Sequence, residues 1–375
     1  VARVIELTCY PLKGCAGTSV RDAVVTPAGL THDRSFMVID EGGVFRSQRH
    51  RPRMAVIHPE LGAGGERLTL RAPGAGVVYV DVDLTAARCD VDLFGVAYRG
   101  IDQGDAVAGW LSEVLGASSR LVRVPPEHHR MTDGETPGSA GYADSSPLLV
   151  TSRSSLDVLN ERIAGRGGEP VPMSRFRPNI VVGGWDEPHS EDRARRITVG
   201  HAELGFAKLA IRCVVTTVDQ EAGAKEGPEP LRTLAGYRRA AQGGVTFGVK
   251  FSVVAPGTLS VGDDLVPIVS FCHQFAPTEG GLGGEPGRPR PRARCRAASP
   301  AAADHHGIRR DRAADGEGTP SARGAPRAIA GGHTAPRYPV RVPGEYRPDI
   351  PARCRLFRAE PRGDARRREV AFEHG

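Results

Sequence analysis

Between residues 36 and 82, short apolar segments alternate with turn residues at a spacing too tight for helices. Residues 36–40 and 44–48 flank Glu41-Gly42-Gly43, the pattern of a three-residue hairpin loop. Residues 54–58, 67–71 and 77–82 read as further strands. At the start, Glu6 interrupts the apolar run and no small-residue cleavage motif follows. Residues 1–7 are therefore a strand rather than a signal peptide. Strands this frequent leave a small barrel or a sandwich as the architecture of residues 1–100.

The most informative segment lies further on, at residues 210–219. Val214, Val215, Thr216, Thr217 and Val218 are all β-branched, and their stiff χ1 favours an extended backbone. Residues 211–218 are expected to form one strand, with Cys213 inside it and Asp219 at its exit. Arg212 precedes the cysteine, and a nearby cation favours the thiolate, the form that acts as nucleophile or binds a soft metal. Adjacent strand residues point to opposite faces, so on this segment alone a buried, inert thiol is the favoured reading.

Helices are fewer. Residues 105–115 place Val107, Trp110, Leu111 and Val114 at helical spacing ahead of Gly116, a stop signal. Residues 147–152 form an apolar strand feeding a helix with the stripe Leu156, Leu159 and Ile163, capped by Ser154 and Asp157. Ser152 and Arg153 then stand at a helix N-terminus, where free N–H groups favour an anion such as phosphate. Simple capping explains the serines equally well. Arg177 and Asn179 precede another apolar strand, and a guanidinium can grip phosphate through two parallel hydrogen bonds. Residues 196–199, 202–209 and 247–254 read as strands, and 230–239 as a short helix. Lys13 and Arg34 flank extended segments from which they can converge on an anion, although each alone is an ordinary surface cation.

Charge divides the chain. The net charge is +6, but residues 281–375 hold 20 Arg and no Lys against 11 acids, a net of +9. The 30 basic and 33 acidic residues before them sum to −3, which gives the folded part no charge argument for nucleic acid. The seven cysteines (9, 15, 89, 213, 272, 295, 354) are scattered, with neither a disulfide framework nor a Cys-x-x-Cys zinc pattern, as expected of a reducing cytoplasm. No apolar run is long enough to span a membrane. Residues 271–375 form a low-complexity basic tail without helical or strand periodicity. Its abrupt onset, its lack of Lys and its Arg/Ala/Gly/Pro bias fit either a disordered tail or an out-of-frame reading of a GC-rich gene.

Six pieces, in order, carry a family resemblance: Tyr10-Pro11-Leu12-Lys13, His32-Asp33-Arg34, Tyr142-Ala143-Asp144, Phe176-Arg177-Pro178-Asn179, the segment from Arg212 to Asp219, and the segment from Pro256 to Asp263. Together they resemble a MOSC-domain protein with its N-terminal MOSC β-barrel, the group of bacterial iron–sulfur MOSC proteins and the mitochondrial amidoxime-reducing component. The resemblance implies a mainly β fold with α (α+β): a small N-terminal barrel over residues 1–120, then a MOSC barrel with peripheral helices over residues 121–270.

It also implies a molybdenum cofactor, a molybdopterin whose metal takes one protein thiolate. That ligand would be Cys213. Lys13, Arg34, Ser152, Arg153, Arg177, Asn179 and Arg212 would bind the pterin and its phosphate, and Asp219 would relay protons. Members of the group often carry serine after the lysine, where this chain has Gly14, which leaves only a backbone N–H. No iron–sulfur cluster is expected, because Cys272, Cys295 and Cys354 lie too far apart. Pyridoxal phosphate is not expected either.

The implied activity is reduction of small N-hydroxylated or N-oxygenated substrates, with electrons from a partner reductase or ferredoxin-type protein. The alternative is a cofactor carrier without turnover. A nucleic-acid arm is the poorer reading of the tail, which has few aromatics to stack bases.

Overall fold

The computed structural model describes residues 1–62 and 64–267. The expected disordered or out-of-frame tail lies outside the described residues, as do Cys272, Cys295 and Cys354.

Seven strands close into a barrel. Ala2–Cys9 pairs antiparallel with Ile180–Gly183, which runs parallel to Leu148–Ser152. Val245–Ala255, Ala202–Arg212, Arg196–Val199 and Asp264–Pro267 follow in antiparallel order, and the last returns to Ala2–Cys9. Closure leaves none of these strands as a free sheet edge. Val4, Val150, Ile180, Ile197, Leu204 and Phe251 fill the interior. The parallel pair needs a crossover, which the Arg153–Ala164 helix supplies.

The remainder of the first half builds a second β-rich body. Phe36–Ile39, Arg120–Arg123, Val96–Asp102 and Arg88–Leu93 form one sheet, and His58–Leu61, Arg67–Arg71 and Val78–Asp81 another. The Asp105–Leu115 helix lays Val107, Leu111, Val114 and Leu115 on Leu12, Phe36, Leu68 and Leu70. It ends at Gly116, whose φ of +62° suits a residue without a Cβ. The protein is thus mainly β with peripheral helices, as expected. Among the described residues, no helix is long and apolar enough to cross a membrane.

Local details differ from the sequence reading. Residues 54–58 lie in and after a 3-10 helix, Pro52–Val56, rather than in a strand over their whole length. Proline opens this turn without needing a donor, and Met54, Ala55 and Val56 are buried through it. The Glu41-Gly42-Gly43 turn is present, yet residues 44–48 contribute only bridge contacts after it. The cap of the second helix is Ser152, whose hydroxyl accepts from Ser155 N, not the Ser154/Asp157 pair. Residues 230–239 hold only one helical turn, Leu231–Leu234.

The largest correction concerns residues 211–218. The strand stops at Arg212, and Val214–Thr217 winds into a 3-10 turn with Cys213 as its cap. Thr216 Oγ1 donates to Cys213 O at 2.9 Å and Thr217 Oγ1 to Val214 O at 2.8 Å. The threonine hydroxyls bond the local backbone and so outweigh the strand propensity of their own β-branching.

Candidate functional site

The turn at Cys213 exposes its thiol to a cleft of about 140 Å³. The chain's first half supplies Lys13, Arg34, Arg46 and Arg49 to this cleft, and the second half Arg177, Arg212 and Lys250. Asp144 is the one carboxylate lining it among the described residues. Such an excess of cations around one thiol fits an anionic ligand better than a bare metal ion. Among the described residues, no three His, Cys, Asp or Glu stand together as a metal site, so a metal here must bring most of its own ligands.

The loop after Ala2–Cys9 buries Lys13 to 5% exposure. Its ammonium pairs with the Asp144 carboxylate and sits over the rings of Phe45 (5.2 Å) and Phe94 (5.0 Å). Burial pulls the ammonium below its ordinary pKa, and Asp144 pushes back. Burial would raise Asp144, but Lys13 outweighs it and holds that carboxyl well below the usual range.

Arg34 and Arg177 both adopt positive φ, +48° and +56°. Both guanidiniums stack on the buried Tyr10 ring, at 4.4 and 4.3 Å. Arg34 is anchored: it pairs with the buried Asp33, donates to Asn179 Oδ1 at 2.8 Å and reaches Arg177 O at 3.2 Å. Asn179 pins three segments, donating to Thr8 O at 3.1 Å and Asp33 Oδ1 at 3.0 Å while accepting from Leu149 N at 3.2 Å. Its amide lines the cleft but is already committed. Arg177, by contrast, has one long contact, to Gln220 Oε1 at 3.4 Å. Arg212 donates to Phe176 O at 2.7 Å, while its Nε is buried without a partner. Burial brings the Arg212 guanidinium down to about 10.

The structure therefore gathers Lys13, Arg34, Arg177, Asn179, Arg212 and Cys213 into one cleft. Ser152, Arg153 and Asp219 do not line it. Ser152 Oγ caps its own helix and donates to the buried Glu191 carboxylate at 2.9 Å. Ser155 Oγ donates to Glu191 as well, at 2.8 Å, so the anion expected at this helix N-terminus is a side chain of the protein. Arg153 pairs with Glu6, half-exposed. Asp219 Oδ1 accepts from Glu221 N at 2.8 Å and Ala222 N at 2.6 Å, and Oδ2 accepts from Arg175 at 3.1 Å. It caps the turn after the Cys213 segment, and its oxygens are occupied there.

Sequence reasoning missed several groups. Arg49 donates to Cys213 Sγ at 3.7 Å. Gln48 and Gln220 exchange amide hydrogen bonds of 3.1 and 3.0 Å, and Gln48 also donates to Gly14 O at 2.7 Å, tying the Cys213 segment to the first half. Nothing in the local pattern around Arg49 marks it. Asp144 sat in a motif already singled out, and Lys250 is a lone cation inside an apolar strand. Both were visible signals.

The residues matched by known families cover the same ground. A model described as the MOSC N-terminal beta barrel domain matches residues 1–118, and one described as the MOSC domain matches residues 137–266. The chain is 34% identical over 285 residues to mitochondrial amidoxime-reducing component 1 of Mus musculus, covering 70% of this chain and 81% of that protein. It is 34% identical over 291 residues to mitochondrial amidoxime reducing component 2 of Rattus norvegicus, covering 72% and 84%. A molybdenum cofactor sulfurase of Danio rerio is 30% identical over 288 residues, 71% of this chain but 34% of the larger protein.

Proposed function

The chain belongs to the MOSC family, in the two-part arrangement of the amidoxime-reducing components, and on that premise we propose that it is a molybdenum-cofactor-dependent oxidoreductase. Its substrates are small N-hydroxylated or N-oxygenated compounds, and its electrons come from a partner reductase or ferredoxin-type protein. Residues 1–120 and 121–270 are two domains that hold the molybdopterin between them.

The observation that carries this reading is the single thiol of Cys213 facing a cleft rich in unpaired cations. A soft thiolate suits molybdenum, and Arg177, Arg212, Arg46 and Arg49 make no salt bridge among the described residues. They are free to meet the phosphate and the pterin, a planar anion-bearing group suited to guanidinium. Lys13 and Arg34 already have carboxylate partners and shape the pocket from behind. When bound, the cofactor supplies two-electron redox chemistry and accepts oxygen. The residues of the chain bind it, orient the substrate and provide protons. Arg49, which donates to Cys213 Sγ at 3.7 Å, holds the sulfur in place in the cleft.

Molybdenum and pterin content, measured on wild type and Cys213→Ala from a host that makes the cofactor, tests the reading. Wild type should carry both, and the variant should lose the metal or its turnover. Wild type free of metal after growth in ample molybdate would end the proposal. Metal-loaded wild type that fails to reduce an amidoxime with a chemical electron donor would instead make the chain a cofactor carrier.

A further inference from the structure

We propose that Lys250 is the proton donor of the cleft, giving its ammonium proton to the oxygen that leaves an N-hydroxylated substrate. This rests on the reductase reading above and adds a catalytic residue to it. The overall step is R–NH–OH plus two electrons and two protons, giving R–NH2 and water. The N–O bond breaks, the nitrogen is reduced, and the oxygen departs as water only when protonated. The electrons come from an external one-electron reductant, in vitro a reduced viologen dye.

Few groups in the cleft can give up a proton near neutral pH. Asp144 is held ionised by Lys13 and accepts rather than donates. Guanidiniums keep their protons, and Asp219 is turned away into its own turn. Lys13 is a lysine whose pKa burial also lowers, but its ammonium is already committed to the Asp144 carboxylate and packed over two aromatic rings. Lys250 differs. It comes from the middle of the Val245–Ala255 strand, lines the cleft, and among the described residues has only a neutral hydroxyl, Ser145 Oγ, as its hydrogen-bond partner.

The charged groups facing it are Asp144 and Lys13 from the loops, and Arg212 and Lys208 from the neighbouring strand. Asp133 pairs with Lys208 at 2.6 Å. Burial, which disfavours the cation, outweighs the Asp144 attraction and brings Lys250 down to about 8. A general acid works best with a pKa close to the working pH.

The Lys250→Arg variant separates proton donation from charge, since arginine can still bind an anion but cannot release a proton. Full-length wild type, Lys250→Arg and Lys250→Met, loaded with cofactor, are assayed on benzamidoxime with reduced viologen across pH. Wild type should lose rate as pH rises through about 8. Lys250→Arg should keep its molybdenum and its KM, lose about 10²-fold in kcat and lose that alkaline limb. Independently of turnover, competitive acetylation of the full wild-type chain without cofactor should give Lys250 a midpoint near 8.

A midpoint at the ordinary lysine value, about 10.4, would overturn the assignment even if no variant folds. So would a Lys250→Arg enzyme with unchanged kcat and limb, and in that case the reductase reading would stand without Lys250. Loaded wild type with no turnover would fail the reductase reading and take this one with it.

Discussion

The N-terminus of the Arg153–Ala164 helix and the cleft at Cys213 both present positive potential, and they satisfy it differently. At the helix, Glu191 is fully buried, and its carboxylate accepts from Ser152 N, Ser152 Oγ and Ser155 Oγ. The donors there are spent on the protein's own anion. In the cleft, among the described residues, Arg177 and Arg212 keep donors without partners or with weak ones, and Lys250 pairs with no carboxylate. Buried polar groups left short of partners cost free energy in folding. A fold that tolerates several of them around one thiol is organised for a ligand. The same residue types thus mean structure in one place and binding in the other, and what separates them is how many of their hydrogen bonds are already made.

The comparison divides the cleft itself. Arg34 and Arg177 both stack on Tyr10, but only Arg34 neutralises a buried carboxylate, Asp33. Arg34→Ala leaves that charge uncompensated and should cost about 3–5 kcal/mol of stability. Arg177→Ala should leave the urea midpoint nearly unchanged and lower molybdenum and pterin content. Equal effects of the two substitutions on unfolding would erase the distinction between anchored and available cations.

Ser152→Ala probes the helix side. It removes the cap and one partner of Glu191, so a stability loss of about 1–2 kcal/mol is expected, with cofactor content unchanged. Loss of molybdenum from a variant that still folds would return Ser152 to the binding set.

The two regions should also answer to pH in different windows. His189, whose backbone N–H donates to Ser155 Oγ at 2.7 Å, has both ring nitrogens buried without partners among the described residues. Burial, then Arg238 and Arg162, lower it to about 4. The folded state thus holds the ring neutral while the unfolded chain protonates it below about 6.5. Its share of stability is full above that value and is lost as pH falls toward 4. His189→Asn, which tolerates the local φ of +63°, should flatten this acid limb in urea titrations. An unchanged slope would remove His189 as its cause.

Much of this was legible in the sequence. Turn spacing gave the strands at residues 36–39, 67–71 and 78–81, helical periodicity gave Asp105–Leu115 to the residue, and five of the six ordered pieces contribute residues to one cleft. The failures share a physical origin. The Cys213 turn was hidden because threonine favours strands by its branching and turns by its hydroxyl, and only tertiary context decides between them. Ser152 and Arg153 looked like a phosphate site because Glu191, which fills it, comes from a distant segment. Arg49 reaches Cys213 across 164 positions, a contact no local pattern encodes.

The smallest expected effect belongs to Asp219. As a strand residue it lay too far from Cys213 to matter without a sharp bend. The 3-10 turn supplies that bend, yet the carboxylate is spent on Glu221 N, Ala222 N and Arg175. Hydrogen bonds from the Ala222 N–H, then others from Glu221 and Arg175, hold it below its ordinary pKa. Such a group is ionised throughout the working range and has no proton to give. Asparagine keeps an acceptor for the two backbone donors and loses only the ion pair with the buried Arg175. Asp219→Asn should therefore retain molybdenum and reduce an amidoxime at the wild-type rate, with a stability cost of about 1 kcal/mol. A variant that keeps its metal but loses most of its kcat would restore Asp219 as a proton relay. It would also mean that the turn opens during catalysis, since no oxygen of Asp219 is otherwise available to the cleft.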